Sequence, residues 1–118
     1  MDYDTASTDD VDSVVPEEYG GMWFFRDPLD CENLGMTLLE LEPDGKGKAH
    51  DHADDGQEEV YLVVEGELTV QLGGSEDEPA DDEVVLTEGE AIRVGPETRR
   101  QLHSHGDGRV RVAIAGAP

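Results

Sequence analysis

Cysteine and lysine are the scarcest informative residues of this chain: Cys31 is the only thiol, and Lys46 and Lys48 are the only lysines among 118 residues. A single thiol excludes an intramolecular disulfide and a cysteine-built metal cluster, and it fits a reducing interior. Eight Lys and Arg stand against 30 Asp and Glu, for a formal charge of -22 at pH 7. No basic stripe is left to displace counterions from a phosphate backbone, so nucleic acid is not an expected partner. No run approaches the ~20 apolar residues that span a bilayer. The opening MDYDTASTDDVDSVV lacks the basic start and apolar core of a secretory leader. These absences lead to the expectation of a cytoplasmic protein with no membrane partner.

What is abundant is acid. At ordinary ionic strength so much like charge repels itself and opposes a compact state. In concentrated salt the Debye length shrinks to about 3 Å at 1 M, and the same surface keeps a protein hydrated. The composition resembles that of cytoplasmic proteins from salt-loving archaea. Apolar residues make up 36% of the chain, gathered in short runs, which argues for a folded body rather than an acidic disordered chain.

The length suits one domain. Residues 1–18 are polar, acidic and aperiodic, and are expected to form a flexible segment. Residues 19–118 are expected to form a single domain, beginning near GGMWFF. From there short runs alternate with turn residues: GMTLLELEP, EEVYLVVEG, ELTVQLGG, DEVVLTEG, EAIRVGP and RVRVAIAG. Leu68, Val70 and Leu72 alternate with Glu67, Thr69 and Gln71, as Val110, Val112 and Ile114 do with Arg109, Arg111 and Ala113, the period of half-buried strands. VYLVV is apolar at every position and predicts a central strand covered on both faces. GGSEDEPADDE reads as a long acidic hairpin loop. No helical stripe follows residue 20, so the fold class is all-β, a sandwich or barrel.

All four histidines fall in two His-x-His pairs, His50 with His52 and His103 with His105. On a strand, residues i and i+2 share a face and lie about 6.6 Å apart along the chain, so both imidazoles of a pair can reach one ion. Glu59 opens the VYLVV run and can add a carboxylate from a neighbouring strand. Two histidines and one carboxylate leave positions free for water or substrate and suit Mn, Fe, Ni, Co or Zn. Tyr61 and Val63 share the face of Glu59 and would form the wall of a pocket there.

Gly45, His50-x-His52, Glu59 and Gly66 resemble the first motif of the cupin superfamily, G-x5-H-x-H-x3-4-E-x6-G, with four residues before His50 and six before Glu59. The run GEAIRVGPETRRQLHSHGD resembles the second motif, G-x5-P-x-G-x2-H-x3-N, beginning at Gly89. There Gly95, Glu97, Arg100 and Ser104 stand in place of the motif's Pro, Gly, His and Asn. The resemblance spans roughly residues 33–115. It implies a small antiparallel jelly-roll β-barrel of the single-domain conserved-barrel (cupin type 2) kind, with a pocket in the barrel mouth and a homodimer joined through edge strands.

Arg100 stands where the family has its fourth ligand, which leaves three readings. His50, His52 and Glu59 hold a divalent metal while Arg100 and Tyr61 bind the substrate, the guanidinium fork taking an anionic group. Alternatively Arg100 pairs with Glu59 in a metal-free pocket. A bulge between Thr98 and His103 would instead turn His103 inward as a fourth ligand. Trp23, Phe24 and Phe25 are expected to pack a first strand or a dimer contact rather than line a pocket. The functional expectation is a divalent-metal (Mn, Fe, Ni or Zn) protein that binds or acts on a small, anionic molecule. The alternative is a metal-free small-ligand-binding module without catalysis. No helix-turn-helix accompanies the barrel in these residues.

Overall fold

A computed structural model describes all 118 residues. One 3-10 turn, Glu17–Tyr19, leads into eight strands: β1 (Gly20–Phe24), β2 (Gly35–Leu41), β3 (Glu58–Glu65), β4 (Leu68–Leu72), β5 (Asp82–Leu86), β6 (Ala91–Val94), β7 (Arg100–His103) and β8 (Val110–Ala117). Strand neighbours pair antiparallel in two sheets, a five-stranded one in the order β1-β2-β8-β3-β6 and a three-stranded one in the order β5-β4-β7. The architecture is the all-β jelly roll. Each run read from the sequence became a strand, and GGSEDEPADDE joins β4 to β5. The strand that periodicity did not bring out is β7, whose four residues RQLH carry one aliphatic side chain.

The two sheets close over a core in which Leu68, Val70 and Val112 are completely buried and Tyr61, Val63 and Val110 nearly so. Period-2 alternation puts these side chains on the inner faces, and each buried aliphatic side chain contributes about 1.5–3 kcal/mol. Gly66 ends β3 with φ +87°, and a Cβ there would meet the Arg109 carbonyl oxygen at 2.6 Å. A glycine is required both for the left-handed turn and for the approach of β8.

VYLVV did not become a strand covered on both faces. Tyr61 and Val63 are buried, whereas Val60, Leu62 and Val64 are 38%, 41% and 51% exposed. The three-stranded sheet covers only the inner face of β3, and no element of the same chain lies over the outer one. Trp23, Leu38, Ala113, Leu62 and Ala91 align across all five strands as one uncharged outward row. Ion pairs flank it, Arg111 with Glu40 at 3.0 Å and Arg93 with Glu58 at 3.2 Å.

The acidic N-terminal segment touches the first strand. The Val14 amide donates to the Met22 carbonyl at 2.8 Å, and the Ser13 hydroxyl accepts the Met22 amide at 3.0 Å. No helix is long and apolar enough to cross a membrane.

Candidate metal centre

Residues 46–50 run extended beside β7. The Gly47 amide donates to the Leu102 carbonyl at 2.9 Å, and His50 and Arg100 exchange backbone hydrogen bonds at 3.0 and 2.9 Å. Lys46 stands opposite His103 and His50 opposite Arg100. Three residues of this segment face two of β7 between those pairs, so a bulge leaves Lys46 on the side of His103 and brings Lys48 and His50 to the side of Arg100, with His52 following. The His52 amide is held by the Pro96 carbonyl at 2.8 Å. Glu59 enters from β3, flanked by Gly116 of β8 and Val94 of β6. A Cβ at Gly116 would lie 3.3 Å from the Glu59 Cγ, so glycine there leaves room for the inward carboxylate.

Three donor groups converge. His50 Nε2 lies 3.4 Å and His52 Nε2 3.1 Å from Glu59 Oε1. The candidate ligand atoms of His50, His52 and Glu59 all fall within 4.8 Å of one another. An ion bonded at 2.0–2.2 Å to each donor separates adjacent donors by roughly 3 to 3.5 Å, in line with the two shorter spacings. The His52 Nε2 is buried without a hydrogen-bond partner. An orphaned imidazole nitrogen facing a carboxylate fits a metal ligand, because coordination would satisfy it.

The second nitrogens of both rings are engaged outside the cluster. The Nδ1 of His50 lies 2.9 Å from the Lys48 carbonyl oxygen, and that of His52 lies 3.1 and 3.2 Å from the two Asp55 oxygens. Such partners fix ring orientation and direct the Nε2 lone pair inward.

Behind the carboxylate, the Tyr61 hydroxyl donates to Glu59 Oε1 at 2.5 Å, and Arg100 Nε donates to the Tyr61 oxygen at 3.3 Å. An Arg100 terminal nitrogen stands 3.6 Å from Glu59 Oε1. Burial alone would raise the Glu59 pKa, but hydrogen bonds from His50 and Tyr61 and the charges of His52 and Arg100 outweigh it and hold the carboxyl at about 2. Glu59 is therefore ionised at any working pH. Tyr61 is pushed well above its ordinary range by burial and by the neighbouring carboxylate. The hydrogen bond to Glu59 raises His50, against the opposing effect of burial.

Tyr61 lines the cavity that contains the three candidate ligands. Arg100 does not: its side chain is completely buried behind Glu59, and its remaining donors go to the Thr98 and Val94 carbonyls at 2.6 and 3.4 Å. A guanidinium so enclosed supports the carboxylate and has no free fork for a substrate in this cavity. His103 stays outside the cluster. β7 pairs with β4 in unbroken register from Leu72↔Arg100 to Thr69↔His103, so the bulge that would turn His103 inward is absent.

Sequence reading missed several participants. Phe24 lines the cavity instead of only packing its strand. Asp55, within the loop ADDGQE, holds the His52 ring. Lys46 and Lys48 border the cavity as well, and the two-residue interval before His50 signals Lys48 but not Lys46, which the bulge in residues 46–50 sets opposite His103.

Residues 37–115 match the cupin domain family. No curated protein matches the chain. Among solved structures the chain is similar to a sugar phosphate isomerase of the cupin superfamily from Silicibacter pomeroyi, with 19% identity over 97% of this chain and 75% of that one and a TM-score of 0.72. It is also similar to KdgF from a Halomonas species, with 16% identity over 97% and 94% of the two chains and a TM-score of 0.72. A Bacillus halodurans protein is 20% identical over 73% of this chain at a TM-score of 0.65, and only 63% of that protein's length is spanned. At these identities the likeness establishes the fold alone.

Proposed function

Because this chain belongs to the cupin family, we propose that it is a metal-dependent small-molecule protein in which His50, His52 and Glu59 hold one divalent transition-metal ion, Mn, Fe, Ni or Zn. The observation that carries this reading is the convergence of three donors with the His52 Nε2 buried and unpartnered. A divalent ion held by two imidazoles and one carboxylate supplies Lewis acidity and open coordination positions to a molecule in the barrel. The protein's own contribution is orientation. Lys48 and Asp55 set the two rings, and Tyr61 and Arg100 keep Glu59 ionised and fixed. Elemental mass spectrometry of protein purified without chelator tests the assignment: near-stoichiometric metal in the native chain and strong depletion in Glu59→Gln are expected. Absence of metal from both, with no uptake on adding Mn, Fe, Ni or Zn, overturns it.

The 3.6 Å approach of Arg100 to Glu59 favours one second reading, a metal-free pocket in which the internal cation alone neutralises the carboxylate. The same measurement separates the two.

We also propose a homodimer, supported by the uncharged outward row centred on Leu62 and Ala113 and the ion pairs at its rim, the pattern of an apolar interface core with a polar border. It involves the sheet face rather than the strand edges. Leu62→Glu is expected to convert a dimer to a monomer in sedimentation equilibrium, and a native chain that sediments as a monomer overturns it.

A further inference from the structure

The cavity around the three candidate ligands has a volume of about 480 Å³, within the usual range for small-molecule sites. Its wall is mainly apolar, with Met22, Phe24, Leu39, Leu102 and Ile114 as the principal surfaces and Val15 of the N-terminal segment on one side. Both lysines of the chain, Lys46 and Lys48, are exposed and border this same cavity.

Charge makes that placement informative. Four of the eight Lys and Arg residues, Arg93, Arg100, Arg109 and Arg111, are paired with carboxylates. The other four, Arg26, Lys46, Lys48 and Arg99, belong to no such pair, and every one of them borders a cavity. In a chain with 30 acidic residues, a cation without a carboxylate within 4 Å needs a local reason. For Lys48 the cavity supplies one, because it stands two residues before His50 and borders the same space, whereas Lys46 lies opposite His103 on the other side of β7. The acids bordering the cavity are otherwise engaged: Glu59 faces the imidazoles and Glu40 is paired with Arg109 and Arg111.

Resting on the reading of this cavity as the ligand site, we propose that it takes an amphiphilic acid, a molecule with an apolar body against Met22, Phe24, Leu39 and Ile114 and an anionic head held by Lys48. The aliphatic and aromatic surfaces favour an apolar body, whose burial there removes hydrocarbon from water. The Lys48 ammonium favours an anion and disfavours a cation. Arg100 is enclosed behind Glu59 and takes no part in holding the head group.

Octanoate and its neutral counterpart octanamide are the probes, titrated by calorimetry into the native protein, into Lys48→Gln and, as a control on the other side of β7, into Lys46→Gln, at the lowest salt at which circular dichroism shows the fold intact. The native protein and Lys46→Gln are expected to bind octanoate at least tenfold more tightly than octanamide, and Lys48→Gln to lose that preference while binding octanamide as before. From butanoate to octanoate, affinity is expected to rise by about three- to fourfold per methylene as apolar surface is buried. A native protein that binds no octanoate, or binds acid and amide equally, overturns the proposal. So does a preference that survives in Lys48→Gln, since the acid would then be held by a metal or by another group. Repeating the titrations after chelation, with metal content measured on the same samples, separates this outcome from the fate of the metal assignment. The lysine-dependent preference is expected to persist without metal, and its disappearance on chelation from a native protein shown to contain metal also overturns the proposal.

Discussion

The two His-x-His pairs share a spacing and nearly a centroid separation, 5.1 Å for His50–His52 and 5.0 Å for His103–His105, and each has one buried, unpartnered Nε2, on His52 and on His103; they differ in ring geometry and in what meets them. The first pair stands edge to face at 90° with both Nε2 atoms turned toward one carboxylate. The second lies stacked at 17°, with His105 exposed and no acid completing a cluster. The difference comes from the strand beside each pair. Glu59 reaches the first pair from β3 across the space that Gly116 leaves open, whereas at the second pair alternation sends Arg100, Leu102 and Ser104 inward and leaves the histidines on the other side. Motif spacing proposes a ligand pair, and a third donor from another strand decides it.

The largest expected effect lies beneath the comparison, at the residue standing in the fourth ligand's place. Arg100→Met removes a completely buried cation and leaves Glu59, only 14% exposed at its side chain, without its internal counter-charge. Breaking a buried pair from one side costs about 3–5 kcal/mol, to be read as a lowered urea midpoint. His103→Ala/His105→Ala is expected to stay within about 0.5 kcal/mol of the native chain, as substitutions away from buried networks do. A tolerant Arg100→Met would mean that the guanidinium is a spectator.

Next in size is the metal test applied to both pairs. Glu59→Gln keeps the volume and hydrogen-bonding reach but removes the ligand charge, and is expected to weaken metal binding about a hundredfold, or ~2.7 kcal/mol. Removal of both His103 and His105 is expected to leave metal content unchanged. Equal losses in the two variants would erase the distinction between the pairs.

How much of this was legible in the sequence follows the same division. Period 2 disclosed the strands, and His50, His52 and Glu59 could be grouped because strand geometry makes i and i+2 share a face even when the loop ADDGQE is two or three residues longer than the family's pattern. What stayed hidden depended on tertiary neighbours. The exposure of Val60, Leu62 and Val64 reflects the lack of any element outside the large sheet, which an all-apolar run cannot reveal. The enclosure of Arg100 depends on the carbonyls of Val94 and Thr98 closing around it, and no side-chain pattern encodes that. β7 has too few apolar residues to show a period, yet it is the strand along which the His50 segment is laid.

A smaller effect separates the pairs through their outer partners. Asp55 holds the Nδ1 of His52 from a half-exposed position, and Asp55→Asn weakens that restraint without touching a ligand. Loss of such an orienting carboxylate typically costs 10–100-fold in metal affinity. Because water can replace part of an exposed contact, the expected loss here is about tenfold, measured by competition with a chelating dye. An unchanged affinity would show that the Pro96 backbone bond alone suffices to aim the ring.

The smallest effect is a pH slope at the second pair. Burial lowers the His103 pKa from 6.5, and His105 and Lys46 lower it further by repelling a second positive charge, with Glu83 the opposing influence. In the unfolded chain the imidazole takes up its proton at the ordinary value, while the folded chain resists it. Stability from this source is therefore full above about pH 6.5 and is lost as the pH falls through the lowered folded value. His103→Asn cannot titrate, so its melting temperature should decline less steeply between pH 7 and 5 than that of the native chain, with metal removed from both so that ligand protonation is not mistaken for it. Identical slopes would mean that water reaches His103 well enough to carry the charge. The two pairs would then differ only in whether a carboxylate meets them, and no longer in the surroundings of their rings.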